Sequence, residues 1–223
     1  MKNKKIFVAC DTKSIKEVQQ IIKKTQTNKL KVGYKFGLEF FNSKNGRYFI
    51  SKIKNKIIFA DLKLYDIPNT CVSTIKAIKD LRVNYLTIHI NVGLNALKAS
   101  KKVSGKTKLV GVTTLTSLDN KSLKQIGYNK NIKRLVMHQA KLAAKANLDG
   151  LVCSAHEVKH VKKIFKKEII TPGIRFDSNI NDQKRVMTPK QAFKNGSEWL
   201  VVGRAITKGS IKKNLKKLID NIN

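Results

Sequence analysis

Two hydrophobic rhythms take turns along this chain. Short apolar runs with polar ends read as buried strands over Lys5–Cys10, Leu30–Tyr34, Ile57–Lys63, Tyr85–Ile90, Lys108–Leu115, Leu151–Ser154, Glu168–Ile174 and Trp199–Gly203. Between them the apolar residues recur at helical spacing. Ser14–Lys24 puts Ile15, Val18, Ile21 and Ile22 on one face, and Asn131–Asn147 does the same with Leu135, Val136, Leu142 and Ala146. Further helices are expected up to about Ile53 and over Pro68–Asp80, Leu94–Val103, Ala155–Phe165, Pro189–Asn195 and Lys208–Ile222. Eight strand-then-helix units with crossovers of this length must be parallel. They predict an α/β fold, a single (β/α)8 TIM barrel, occupying residues 1–223 as one domain without linker or repeat. An open doubly wound sheet has a similar pattern, but no GxGxxG follows the first strand.

Composition narrows the partners. The 223 residues are 41% hydrophobic, enough for one sizeable core. No apolar stretch approaches the roughly 18 residues that span a membrane. Met1-Lys2-Asn3-Lys4-Lys5 resembles the start of a signal peptide, yet the apolar run after it stops at Asp11, so a cytoplasmic protein is expected. Cys10, Cys71 and Cys153 lie far apart without CxxC spacing and read as small buried hydrophobes. The net charge of +33 raises the question of nucleic acid. Only six of the 47 basic residues are arginine, and the lysines are spread without an arm or an aromatic-interleaved block. Specific nucleic-acid recognition favours arginine, so no specific nucleic-acid partner is expected, although non-specific adsorption at low salt is.

The candidate chemistry collects at the carboxyl ends of the predicted strands, where barrels place their active sites. In Asp61-Leu62-Lys63-Leu64-Tyr65-Asp66-Ile67-Pro68-Asn69-Thr70, strand alternation puts Asp61 and Lys63 on one face, about 7 Å apart along the backbone. Asp66 follows, and Pro68 can open the next helix. Asp11 follows strand one, Lys31 lies within strand two, His89 is on strand four and Thr116 on strand five, with Arg175 after strand seven and Gly203-Arg204 after strand eight. Loops seven and eight of barrels commonly hold phosphate, and two of the chain's six arginines sit there. His156-Glu157-Val158-Lys159-His160 matches HExxH, but its lysine-rich surroundings and the lack of a third ligand make it a chance match, and no metal site is expected.

These motifs together make the chain resemble the bacterial-type orotidine 5′-phosphate decarboxylase family over nearly its whole length. The residues that carry the likeness are Val8 to Asp11, Leu30 to Gly33, Asp61 to Thr70, Leu115 to Ser117, Thr171 to Arg175, Asp182-Gln183, Arg185 to Pro189 and Val202 to Arg204. Departures are Cys10, the segment Ile90-Asn91-Val92-Gly93, and Lys35 where an acid is often seen.

The resemblance implies decarboxylation of orotidine 5′-monophosphate to uridine 5′-monophosphate, the last step of de novo pyrimidine synthesis, without a cofactor. By motif position, Lys63 donates the proton to C6 and Asp61 flanks it. Asp66 and Thr70 reach the neighbouring subunit's site in a homodimer. Lys31 and Asp11 bind the ribose, Thr116 the pyrimidine edge, and Gln183, Arg175, Gly203 and Arg204 the phosphate. Two other readings remain at this stage: a Mg²⁺-dependent keto-gulonate-phosphate decarboxylase or hexulose-phosphate synthase, which shares DxKxxD, and a basic nucleic-acid-binding barrel.

Overall fold

The computed structural model describes residues 4–176 and 187–222. Eight parallel strands close into a barrel in sequence order: β1 (Lys5–Ala9), β2 (Lys31–Gly37), β3 (Ile57–Leu64), β4 (Tyr85–His89), β5 (Lys108–Val112), β6 (Gly150–Val152), β7 (Glu168–Thr171) and β8 (Trp199–Val202), with β8 pairing back onto β1. The helices are α1 (Ile15–Lys24), α2 (Leu38–Phe41), α3 (Gly46–Lys52), α4 (Pro68–Ala77), α5 (Gly93–Val103), α6 (Asn120–Gln125), α7 (Ile132–Lys145), α8 (Val158–Ile164), α9 (Pro189–Lys194), α10 (Arg204–Thr207) and α11 (Ile211–Ile222).

Their starts follow from the sequence. The Ser14 hydroxyl accepts from the Glu17 N–H at the head of α1, the Asn131 side chain from Arg134 N–H at α7, and Thr188 precedes Pro189 at α9. Each caps a backbone donor that the helix itself leaves unpaired.

Strand alternation divides the interior in two. One set of side chains packs outward under the helices in a continuous apolar shell that includes Val8, Tyr34, Phe36, Leu86 and Leu200. The other set fills the barrel with an aromatic plug: Phe7 stacks on Trp199 (ring centroids 4.1 Å apart) and meets Phe59 and Tyr85 edge-on or tilted. Gly33 makes room for it, since a Cβ there would lie 2.6 Å from the Phe7 ring. This plug separates the two mouths of the barrel.

Three expectations are corrected. The second strand runs three residues past Tyr34 to Gly37, because Lys35 and Gly37 stay in register with Phe59 and Asp61 of β3. The helical stretch to Ile53 is two short helices; Asn45 adopts a left-handed φ of 66°, and a Cβ at Gly46 would meet the Phe40 carbonyl oxygen at 1.9 Å. The last helix begins at Ile211 instead of Lys208, just beyond Gly209 (φ 77°), and the unexpected short α10 lies ahead of it. Between β5 and α7 the short α6, capped by the Asp119 side chain on Ser122 N–H, is an element that the hydrophobic pattern did not announce.

Candidate active site

A cavity of about 480 Å³ opens at the carboxyl ends of the strands. Its floor is apolar, made by Phe59, Val112, Val152 and Val201 from inward positions of four strands. One wall is charged. Asp11 follows β1, Lys35 sits near the end of β2, and Asp61 and Lys63 end β3.

These four side chains form one chain of opposite charges. The Lys63 ammonium donates to Asp61 Oδ2 at 2.9 Å, Lys35 Nζ lies 3.5 Å from the same oxygen, and Lys35 donates to Asp11 Oδ1 at 3.1 Å. Asp61 and Lys35 are almost completely buried, while Asp11 is exposed at the rim. Burial by itself pushes the Asp61 carboxyl up, but the Lys35 and Lys63 charges and the hydrogen bonds from Lys63 and Thr87 outweigh it, so Asp61 is held below the ordinary carboxylate value. Burial likewise pulls Lys35 down, and the Asp61 and Asp11 carboxylates more than reverse it, so its pKa is raised. Both shifts favour the charged forms of Asp61 and Lys35.

The backbone at Lys63 is unusual in a way that serves the site. Pairing between β3 and β4 shifts register between Ala60 and Leu64, and Lys63 takes a left-handed φ of 49°. For a residue with a Cβ such a conformation costs on the order of 1–3 kcal/mol and persists only where its surroundings impose it. Thr87, wholly buried on β4, does so: its hydroxyl accepts the Lys63 N–H at 2.7 Å and donates to Asp61 Oδ1 at 3.1 Å. One side chain therefore fixes both members of the Asp-Lys pair, and the bulge aims them.

The rest of the cavity comes from the later strands. Thr114, Leu115 and Thr116 follow β5. Thr114 hands its N–H and hydroxyl to Gln139 Oε1 (2.9 and 3.1 Å), and Gln139 Nε2 donates to Asn91 Oδ1 at 3.0 Å, with Tyr128 as the further partner of Asn91. The segment Ile90 to Gly93 thus buttresses the loop after β5. Pro172, Gly173 and Arg175 follow β7, where Gly173 (φ 77°) makes the turn and Met187 pairs with both Gly173 and Arg175 through the backbone. Gly203 and Arg204 follow β8. His89, half-buried at the end of β4, stacks on Tyr65 and has its pKa lowered first by burial and then by the Lys63 charge.

The sequence-predicted residues thus fall into four groups. Asp11, Asp61, Lys63, Thr116, Arg175, Gly203 and Arg204 converge on the cavity. Asp66 and Thr70 do not: both are exposed, Asp66 beyond β3 and Thr70 in the first turn of α4. Gln183 lies outside the described residues, as do Asp182, Arg185 and Val186. Lys31 is corrected. It starts β2 and lines a pocket at the opposite, amino-terminal mouth of the barrel, so it is no part of this site.

Lys35 is the residue that sequence reasoning missed. Lys31-Val32-Gly33 and Lys35-Phe36-Gly37 repeat the same Lys-x-Gly pattern on the same strand face, about 13 Å apart. Ending the strand at Tyr34 selected the wrong copy. The HExxH match also dissolves, since His156 precedes the helix that begins at Val158. Among the described residues, no three His, Cys, Asp or Glu side chains gather as metal ligands, and no helix is long and apolar enough to cross a membrane. Cys10, beside the site, has its thiol pushed up to about 12 by burial and stays unreactive.

Comparison with known proteins agrees with this geometry. The chain is 44% identical over 212 residues to the orotidine 5′-phosphate decarboxylase of Wolbachia pipientis subsp. Culex pipiens (strain wPip), covering 92% of each chain. It is 46% identical over 186 residues to that of Ehrlichia chaffeensis, covering 79% of each. The crystal structure of orotidine 5′-phosphate decarboxylase from Lactobacillus acidophilus superposes with a TM-score of 0.84 at 30% identity, over 99% of this chain and all of that one. Residues 4–217 match the orotidine 5′-phosphate decarboxylase / HUMPS family, and the chain belongs to that family.

Proposed function

We propose that this chain decarboxylates orotidine 5′-monophosphate to uridine 5′-monophosphate and CO₂, without metal or organic cofactor. The observation that carries the reading is Lys63 at 2.9 Å from a buried carboxylate, on the wall of a cavity that also holds Arg175 and Arg204. When the bond from C6 to the carboxylate breaks, its electron pair stays on C6 and CO₂ leaves. Nothing in the pyrimidine delocalises that carbanion well, so a fixed cation beside it stabilises the transition state more than the ground state. The Lys63 ammonium supplies both the cation and the proton that completes the new C–H bond, and it is reprotonated by water.

Asp61 holds the Lys63 ammonium by its hydrogen bond, and Lys35 in turn holds Asp61. Lys35 with Asp11 binds the ribose hydroxyls, the role that the family resemblance implied for Lys31 with Asp11. Thr116 meets the pyrimidine edge, and Arg175, Gly203 and Arg204 hold the phosphate, whose remote binding energy fixes the ring over Lys63. Asp66 and Thr70 serve the site of a second subunit. Leu38, Tyr65 and Ile67, large apolar residues 55%, 66% and 67% exposed around the same rim, support a covered interface there.

The direct test is loss of orotidine monophosphate absorbance with excess EDTA. Turnover that is unaffected by EDTA supports this reading. Turnover of a sugar phosphate that requires Mg²⁺, with none of the nucleotide, replaces it with the sister chemistry of the family.

A further inference from the structure

The barrel has a second opening, at the amino-terminal ends of its strands, where a cavity of about 300 Å³ lies beyond the aromatic plug. Lys5, Lys31 and Lys108 reach it from inward positions of β1, β2 and β5, and Lys106 from the loop before β5. One carboxylate answers these four cations. Glu168 is already committed: Oε2 accepts from the Tyr85 hydroxyl at 2.9 Å and from Lys108 at 3.0 Å, and Oε1 faces Lys5 at 3.8 Å. Lys31 and Lys106 have no carboxylate within ion-pair distance among the described residues.

Solvated lysines on helix surfaces are unremarkable in a chain with 47 basic residues, but these are placed differently. Strand alternation directs Lys5, Lys31 and Lys108 to one space, and Lys5 and Lys31 are direct register partners on adjacent strands. Like charges in that relation repel and destabilise the pair. Nothing apolar is gained by it, because both ammonium groups stay at the cavity. A bound anion removes the repulsion. The surroundings suit one: Lys5 and Lys108 sit over the Trp199 and Tyr85 rings at 5.6 and 5.2 Å, and Asn84 spends its oxygen on the Ile58 N–H, leaving its NH₂ as a further donor.

We propose that this amino-terminal mouth binds a compact polyanion of the diphosphate or triphosphate class, at a site separate from the catalytic cavity. Lysines are point charges on flexible stems and accept such groups without a fixed fork geometry. The four cations exceed Glu168 by three charges, which matches a diphosphate better than a single carboxylate. The source of that group is either free pyrophosphate or the phosphate tail of a nucleotide.

Trp199 is the only tryptophan of the chain and lines this cavity, so its emission reports on this mouth and not on the catalytic one. The full chain is titrated with inorganic pyrophosphate at constant ionic strength. A saturable change in emission is expected, at least about tenfold weaker in Lys31→Ser/Lys106→Ser, as loss of two charged contacts requires. It should be unchanged in Lys212→Ser/Lys216→Ser, which removes the same charge from α11. A second titration with a nucleoside triphosphate separates the sources. Tighter saturation than with pyrophosphate assigns a nucleotide, and equal or weaker saturation assigns the free anion. No saturable change, or equal weakening in both double variants, overturns the proposal, the latter by reducing it to general adsorption on a basic protein.

Discussion

Lys31 and Lys35 stand on one face of one strand, each followed by an apolar residue and a glycine, yet they serve opposite ends of the barrel. Position along the strand decides between them, since only the residue near the carboxyl end can reach Asp11 and Asp61. Lys35→Ala should therefore lower kcat/KM for orotidine monophosphate by roughly 100-fold or more, while Lys31→Ala stays within about twofold. Steady-state kinetics on the two variants reads this directly, and the reverse ranking would return the ribose role to Lys31. Charge at the site also sets a pH dependence. The folded-state pKa of Asp61 is lowered from 3.8 and that of Lys35 is raised from 10.5. By linkage, the Asp61 contribution is present above pH 3.8 and lost as pH falls through its lower folded value. The Lys35 contribution is present below pH 10.5 and lost as pH rises through its higher folded value. Chemical unfolding of wild type and Asp61→Asn should thus give a stability difference that is constant from about pH 5 to pH 8 and shrinks in acid. A difference that grows on acidification would mean that Asp61 is protonated in the folded protein.

Elements carry a different kind of information. All eight strands were legible, because buried parallel strands leave apolar runs that nothing else in the chain imitates, and their alternation with helices fixed the barrel. Asp61 and Lys63 of the candidate site were legible for the same reason: they end such a run. What the pattern could not give was where β2 stops, since alternate residues 31, 33, 35 and 37 share a face throughout and apolar content no longer distinguishes strand from loop. It also could not give Thr87, an unremarkable threonine in an apolar strand whose importance arises only from the register shift opposite it. Gly33 looked like part of a functional motif and turns out to be packing. Gly33→Ala should place a Cβ 2.6 Å from the Phe7 ring and 3.1 Å from the Ile57 carbonyl oxygen. Overpacking of this kind costs about 1–3 kcal/mol, measurable as a lower midpoint of chemical unfolding. An unchanged midpoint would show that the aromatic plug yields more easily than its stacking implies.

At the scale of the whole molecule, the role proposed for Asp66 and Thr70 in a second subunit's site is a claim about assembly. Both follow β3 closely, yet neither reaches its own cavity, and the apolar rim beside them is exposed. If the sites are shared, Asp61→Ala and Asp66→Ala proteins, each nearly inactive, should regain activity when mixed and allowed to exchange subunits. One hybrid site would then collect both defects and the other neither. Failure to complement after demonstrated exchange would leave Asp66 outside the chemistry. The high positive charge of the chain is carried mostly by lysine, and the site links four charged side chains in alternating sign, buried at Lys35 and Asp61 and open at Asp11. The account depends most on Lys63. Its central test is the turnover of orotidine monophosphate by wild type and Lys63→Ala in EDTA, with far-UV circular dichroism as the check on folding. Wild type should decarboxylate the nucleotide, and the folded variant should retain about a hundredth of its kcat or less, as the loss of a transition-state cation and proton donor requires. A folded Lys63→Ala protein keeping more than about a tenth of wild-type kcat would contradict the account.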